Sequence, residues 1–456
     1  MTDYVILAPE ILLLLSVAWA LFAEHLPGGD RGSVWVAFAL SLAGAVAAAL
    51  TPLGGELFGG VFVIDGVARF ARTGVAAISA LWFLWTAGRG EGRLREAVAL
   101  AGLSAIGGLV MSGARELITL VLAVELSTMP AYVLIGYRRH RIQGLEGALK
   151  YFLLSMLTSL VMLYGMSFLF GVSGSTYFVE LDVSAAGTLG LLAVVLTYVG
   201  LFAKLSAAPF HYWAPDAYEG AEAWTVAFVS TVPKLAGAVA VVRLTAALAP
   251  SAPSIGTAFV AVAAASMLLG NFAALQQHDL RRLMAYSGVA HTGYLLLGAG
   301  ALSRAGLGAA VFYALAYALP SLGIMLVVAE EGSHVSDLGG LSARRPVAAW
   351  SVVIMVLSLI GIPPLVGFFG KLYLFFAALE AGLTAWVVLA VVVSVVSAGY
   401  YLRIVRSMFF GERSESAPLA PRSHAADAAV AMTALLVLAL GLAAGPLLGV
   451  LGAPVP

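Results

Sequence analysis

The sequence predicts an all-α polytopic membrane bundle of about fourteen helices, with two inverted five-helix repeats and discontinuous helices at spans 7 and 12. Three observations predict it. Apolar residues make up 61% of the 456 residues and charged residues 11%, where a globular chain carries about a quarter charged. The apolar residues fall in long blocks: 187–201 and 381–399 contain no charged residue. A bilayer core asks for about twenty such residues per helix. Finally, two spans in separate halves of the chain each combine one lysine with a proline interruption.

Spans are expected at 4–23, 34–51, 66–87, 96–112, 116–136, 146–171, 187–210, 223–248, 256–275, 283–301, 306–329, 348–376, 383–408 and 426–450. The first has no basic region before it and no small-residue cleavage site after it, so it is expected to be a retained span and not a signal peptide. Gly, Pro and charged clusters such as 27–30 and 411–413 mark the connections. The connections are short, which leaves no soluble domain of any size. Boundaries are expected at 1–92 for an N-terminal three-helix segment, 93–250 and 251–412 for the two repeats, and 413–456 for a C-terminal span.

Basic residues collect on the cytoplasmic side of membrane proteins. Counting connections from the N-terminus, the odd ones carry Arg31; Arg89, Arg93 and Arg95; Arg138, Arg139 and Arg141; Arg281 and Arg282; Arg344 and Arg345; and Arg413 and Arg422. The even ones carry little beyond Arg115 and Arg304. The odd connections are therefore expected in the cytoplasm, with both termini outside, as in a bacterial cell membrane.

Spans 4–8 and 9–13 form two blocks of five. Five is odd, so consecutive blocks enter the membrane in opposite senses, the arrangement of many transporters. The fourth span of each block holds the interrupted lysine segment: Lys204 with Pro209, and Lys371 with Pro363 and Pro364. Break and lysine come in opposite order in the two, so the symmetry is imperfect.

Lysine usage is the sharpest chemical signal. The chain has 20 arginines and only four lysines, and Lys150, Lys204, Lys234 and Lys371 all lie within apolar spans or at the start of one. Arginine stays protonated, whereas a buried lysine releases its proton far more readily. An unpaired lysine at the bilayer centre costs about 2.5–3.5 kcal/mol, so such residues mark function or a partner. Snorkelling or static ion pairing is the competing account, strongest for Lys150 near a helix end. Glu125, alone among apolar residues 117–134, is the matching acid. Paired with Lys204 or Lys234, it would form a switchable ion pair; the plainer alternative is a structural salt bridge. His211, just after Pro209, and His291, inside span 10, titrate near physiological pH and are candidate relays. A lone histidine is more often a hydrogen-bonded packing residue. Arg243 fits either an anchor or a relay. Trp82, Trp85 and Trp213 are expected as interfacial anchors.

Several classes are excluded or unsupported. With no cysteine, disulfides, thiolate catalysis and a cysteine-ligated iron–sulfur cluster are ruled out. Zero net charge gives no reason to expect a nucleic-acid partner. No glycine-rich loop has phosphate-cradle spacing, and no cluster has metal-ligand spacing.

Five segments carry a resemblance: 124–127 (Val-Glu-Leu-Ser), 146–152 (Glu-Gly-Ala-Leu-Lys-Tyr-Phe), 204–216 (Lys-Leu-Ser-Ala-Ala-Pro-Phe-His-Tyr-Trp-Ala-Pro-Asp), 281–287 (Arg-Arg-Leu-Met-Ala-Tyr-Ser) and 361–371 (Gly-Ile-Pro-Pro-Leu-Val-Gly-Phe-Phe-Gly-Lys). Over nearly its whole length the chain resembles the antiporter-like membrane subunits of respiratory complex I. Three features resemble the N-type subunit: the Lys-Tyr-Phe at 150–152, Tyr-Glu-Gly-Ala at 218–221 followed by Ser-Thr-Val-Pro-Lys at 230–234, and a length without the lateral helix of the L type. A lysine at 371, where the M type usually has glutamate, points the same way. One departure stands out: the family's usual Glu-Gly-Ala-Pro-Thr-Pro is here Glu-Gly-Ala-Glu-Ala-Trp at 219–224, which puts a charge at Glu222.

The resemblance implies proton translocation. Glu125 would be the acid of the central pair, Lys204 the central carrier, Lys234 the link to the second half and Lys371 the terminal lysine near the outward side. His211, His291 and Lys150 would be secondary members of the path. It also implies M- and L-type and small membrane subunits as partners, with NADH, FMN, iron–sulfur clusters and quinone in other subunits and no cofactor in this chain. A multi-subunit cation/proton antiporter shares the lysine and glutamate motifs and is the alternative. A solitary solute transporter would show clustered, substrate-shaped polar groups, whereas here single ionisable residues are strung over several helices.

Overall fold

The computed structural model of the chain describes residues 5–22, 28–89, 94–138, 140–412 and 423–451. Arg93, Arg139, Arg413 and Arg422, counted above for orientation, lie outside the described residues.

The helices of seven residues or more, in chain order, are α1 (Ala8–Leu21), α2 (Gly29–Leu50), α3 (Gly66–Ala87), α4 (Leu94–Gly113), α5 (Leu117–Ile135), α6 (Ile142–Ser173), α7 (Gly187–Leu205), α8 (Trp213–Gly220), α9 (Ala223–Val229) and α10 (Val232–Leu248). The second half continues with α11 (Ile255–Leu275), α12 (Leu280–Ala299), α13 (Arg304–Glu331), α14 (Pro346–Ile360), α15 (Val366–Glu380), α16 (Thr384–Phe410), α17 (His424–Leu442) and α18 (Ala444–Leu451). Among the described residues eleven segments are long and apolar enough to cross a bilayer, with α1 and α14 shorter. Among the described residues there is also one short antiparallel hairpin, β1 (Gly55–Leu57) with β2 (Phe62–Ile64), between α2 and α3.

Helix ends are set by side chains the sequence supplies. Asp65 caps α3 by accepting from the Ala68 amide at 2.8 Å, Glu116 caps α5 through Thr119 at 2.7 Å, and Asp279 caps α12 through Arg281 at 2.9 Å. Prolines open α10 and α14, where a missing N–H costs nothing. Gly361, at φ 100°, ends α14 in a left-handed conformation that suits glycine.

Both expected breaks are present, shifted from the expected bounds. Span 7 stops at Leu205 and resumes at Trp213, and span 12 stops at Ile360 and resumes at Val366. A third interruption, not expected, separates α9 from α10 at Ser230 and Thr231, before Pro233. The tryptophan expectation fails. Trp82 and Trp85 are fully buried and Trp213 nearly so. Trp82 stacks on Trp224 and donates to its carbonyl at 2.7 Å; Trp213 stacks on Tyr151 at 3.9 Å and donates to the Ala203 carbonyl at 2.9 Å. They hold helices together inside the protein, where the sequence offers no way to tell a buried span end from a lipid-facing one.

The segment containing α9 and α10, and the long α13, are buried along their apolar cores and form the centre of the bundle. Around them pack α3, α4, α12, α15 and α17, while α6 runs along the outside with most of its surface exposed. Arg243 settles as an anchor. Its guanidinium grips the Asp65 carboxylate at 2.8 and 3.1 Å and donates to the Ser112 carbonyl at 2.6 Å, tying α10 to the start of α3 and the end of α4. Glu222 is accommodated as well: it pairs with Arg138 at 3.0 Å and accepts from the Trp224 indole at 2.9 Å.

Candidate functional site

Lys204 lies in the last turn of α7, where the helix dipole favours a cation. It is buried, and its ammonium donates to the Thr128 hydroxyl at 2.5 Å. Thr128 in turn donates to the Val124 carbonyl within α5. Glu125 sits one turn from Thr128 and accepts from Ser159 of α6 at 2.6 Å, while its second carboxylate oxygen is buried with no hydrogen-bond partner among the described residues. The expected direct ion pair between Glu125 and a lysine is therefore not formed; Thr128 stands at the lysine. Across from Lys204, α10 presents Gly237, where a Cβ would come within 3.0 Å of the lysine Cγ.

Lys234 lies one turn before Gly237 on α10. Its ammonium is buried with no hydrogen-bond partner among the described residues. It faces aromatic rings, with Tyr218 of α8 at 5.9 Å and Tyr317 of α13 at 6.0 Å from the ring centres. Beside it a cavity with about 20 Å³ of room for a water's centre is lined by Lys234, Leu205, His291, Thr292, Tyr313 and Tyr317. One water needs about 10–15 Å³ on that measure. The cavity thus spans from the lysine to His291 and is large enough for one water.

His291 closes the far side. Its Nδ1 meets the Tyr313 hydroxyl at 2.7 Å, its Nε2 meets the Tyr401 hydroxyl at 3.2 Å, and Tyr401 meets Ser287 at 2.5 Å. The tautomer decides which ring nitrogen donates. Beyond it, Tyr294, Asn271 and Tyr400 form a hydrogen-bonded bridge with two contacts of 3.2 Å. Lys371 sits 5.0 Å from the centre of the Tyr294 ring. Its ammonium donates to the carbonyls of Leu359 and Ile360, each at 2.9 Å, and to Ser394 at 2.7 Å. It thereby satisfies two carbonyls orphaned where α14 ends.

Lys234, His291 and Lys371 thus belong to one row of polar and aromatic neighbours in the protein interior, and Lys204 lies against Gly237, one turn along α10 from Lys234. Lys150 stands apart. It is half-exposed and paired with Glu146 and Asp216, each at 2.8 Å, and Asp216 is shared with Arg282 at 2.8 Å. This cluster borders a wide polar hollow, about 510 Å³, that Glu219, Asp279, Arg281 and His334 also line. His211 is buried beside the break, packed on Tyr212 at 4.5 Å with Tyr286 at 6.5 Å, and its Nδ1 lacks a partner among the described residues. Among the described residues no group of three or more His, Asp or Glu side chains is placed to hold a metal ion.

The linking residues Thr128, Gly237, Tyr313, Tyr317, Tyr401 and Ser394 were not singled out from the sequence. Helical spacing was the available signal: Thr128 is three residues from Glu125, Gly237 three from Lys234, and Tyr313 and Tyr317 are four apart.

Residues 114–397 match the family described as NADH:quinone oxidoreductase/Mrp antiporter, TM. A subunit N of NADH-quinone oxidoreductase from Rhodospirillum rubrum is 38% identical over 83% of this chain and 80% of its own length. A subunit N 2 of that enzyme from Solidesulfovibrio magneticus is 37% identical over 97% of this chain and 96% of its own. Among solved structures, a chain of respiratory complex I from Thermus thermophilus with bound aureothin superposes with a TM-score of 0.85 at 34% identity, covering 98% of this chain and 99% of that one. A chain of the Mrp complex from a Dietzia species superposes with a TM-score of 0.89 at 24% identity, covering 99% and 96%, a likeness of fold alone.

Proposed function

This chain belongs to the subunit N family of NADH-quinone oxidoreductases, and from that premise we propose that it is a proton-translocating membrane subunit whose path runs from Glu125 and Lys204 through Lys234 and His291 to Lys371. The observation that carries this reading is the set of three buried lysines on separate helices, with His291 and its tyrosines between Lys234 and Lys371, in a protein that crosses the membrane many times. Burial this deep is costly for a fixed charge, and groups that load and release a proton are what membrane interiors retain.

Each residue then has a task. Glu125, held by Ser159 and one turn from Thr128, sets the field felt at Lys204. Lys204 receives a proton and passes it toward Lys234 past the bare backbone of Gly237. The cavity beside Lys234 admits a water that joins it to His291, and the tyrosines around His291 extend the path toward Tyr294. Lys371 delivers the proton outward. Lys150 and His211 are accessory: Lys150 shapes the polar hollow on the arginine-rich side, and His211 lies beside the first break.

The spans number fourteen when α1, α12 and the α14–α15 pair are added to the eleven long segments. Arginine placement favours odd connections in the cytoplasm and both termini outside, in a bacterial cell membrane. The segments 93–250 and 251–412 are the inverted repeats, with 1–92 and 413–456 flanking them. NADH oxidation and quinone reduction, with FMN and iron–sulfur clusters, belong to partner subunits, and M-type, L-type and small membrane subunits are the neighbours. A cation/proton antiporter is disfavoured because subunit N relatives align over nearly the whole chain, whereas the Mrp likeness is one of fold.

The direct test is Lys204→Ala in the intact complex, with proton uptake per NADH oxidised measured in inside-out vesicles. Uptake should fall sharply while the complex still assembles. Normal uptake would remove Lys204 from the path.

A further inference from the structure

We propose that Gly288 is a positioning residue: the side chain it lacks is the space in which the Lys234 ammonium sits, between Tyr317 and the small cavity that leads to His291. The inference rests on the reading of Lys234 as a proton carrier and adds a residue that this reading does not name.

A Cβ built at Gly288 would lie 2.5 Å from Lys234 Nζ and 2.9 Å from the Tyr317 hydroxyl. Neither distance is tolerable, so any side chain here displaces the ammonium. Most glycines of the neighbouring helices do something else. Gly270 faces the Ala290 backbone nitrogen at 2.4 Å and Gly293 faces the Ala263 carbonyl at 2.7 Å, so both let α11 and α12 approach backbone to backbone. The nearest atoms to Gly288 belong only to the Lys234 and Tyr317 side chains.

Its place on the helix supports the same role. Gly288 precedes His291 by three residues on α12, so the two share a face. That face looks across at Lys234 on α10 and Tyr317 on α13. The ammonium has no hydrogen-bond partner among the described residues, so the shape around it is what holds it in place. The other two interior lysines also lie against glycine, less tightly: Gly237 at 3.0 Å from Lys204 Cγ, and Gly361 at 3.3 Å from Lys371 Cδ. Only at Gly288 is the near atom the proton-bearing nitrogen itself.

The chemistry makes the substitution selective. The atoms that must yield are the free ends of flexible side chains, so Gly288→Ala leaves the helix packing intact while moving the charge.

The experiment uses the whole complex in inside-out vesicles, with proton uptake per NADH oxidised followed across a pH series. Gly288→Ala should assemble, lower uptake by about tenfold, within the roughly hundredfold that an ångström of misplacement can cost, and displace the pH at which uptake is half-maximal. Gly306→Ala is the steric control: it lies on α13, eleven residues before Tyr317, and meets the backbone carbonyl of Gly298 at 2.3 Å, so it should change assembly or amount and leave the pH profile in place. Wild-type uptake and profile in Gly288→Ala would overturn the proposal. So would a lowered uptake with an unmoved profile, or a failure to assemble, which would show that more than two side-chain ends must yield. Lys234→Gln separates the two levels: normal uptake in that variant defeats the carrier reading itself, whereas lost uptake there with an unaffected Gly288→Ala defeats only the role of Gly288.

Discussion

The two broken spans place a lysine at the same kind of point by opposite routes. In span 7 the lysine precedes the break, in the last turn of α7, and reaches across to a side-chain hydroxyl on another helix. In span 12 it follows the break, on α15, and reaches back to the carbonyl end of α14. Both ammonium groups therefore sit at the C-terminal end of a half-helix, where the backbone dipole favours positive charge. They differ in how firmly they are held. Lys371 has three acceptors, two of them backbone; Lys204 has one; Lys234, between them, has none among the described residues. The break in span 12 uses its lysine as a structural cap, whereas the break in span 7 leaves its lysine with a single side-chain acceptor.

That contrast is open to direct attack. The largest effect is expected from Lys371→Met, which should lose proton uptake and also loosen the break. Leaving buried acceptors unpaired costs about 1–3 kcal/mol each. The melting temperature of the purified complex, or retention of this subunit on a native gel, should fall clearly below that of Lys204→Met. Equal stability of the two variants would erase the distinction. Next is Thr128→Val, which takes away the one partner of Lys204 while keeping shape. Uptake should fall about tenfold or more, the hydrogen bond to a charged group being worth about 1.5–3 kcal/mol, with a smaller loss of stability than in Lys371→Met, where three acceptors lose their donor. Ser394→Ala should do less than either, since Lys371 keeps both backbone carbonyls; proton uptake per NADH oxidised should stay above that of Thr128→Val. The smallest effect belongs to Glu222→Ala. Its partners Arg138 and Arg141 are more than half-exposed, so the ion pairs are worth at most about 1 kcal/mol, and uptake should be unchanged.

The lysines were legible in the sequence because they are rare. There are four in 456 residues, and Lys204, Lys234 and Lys371 stand within apolar spans while the connections carry only arginine. The two breaks were legible because Pro209 and the Pro363–Pro364 pair interrupt long apolar runs. The third break was not, because Pro233 opens α10 at a position where proline is also ordinary. The residues between the lysines were hidden for a different reason. Among 50 glycines, 22 phenylalanines and 16 tyrosines, no single Gly288 or Tyr313 stands out until three helices are brought together. The tryptophans misled because an aromatic ring suits a lipid interface and a helix junction equally well. Lys150 was ambiguous in the sequence, and its position at the rim explains why: near a helix end a lysine reaches acidic partners and water together.

The deep burial of α10 and α13 has a consequence for how the three lysines sense one another. Groups held among buried helices are screened by solvent far less than surface charges. Two like charges about 10 Å apart, a helix diameter, repel by about 1.7 kcal/mol at an effective dielectric constant of about 20. That is worth roughly a tenfold bias or more in whether the second site holds its proton. An interior built of buried helices thus lets a proton arriving at one lysine influence the next without any contact between them, as charge on one plate of a capacitor acts on the other.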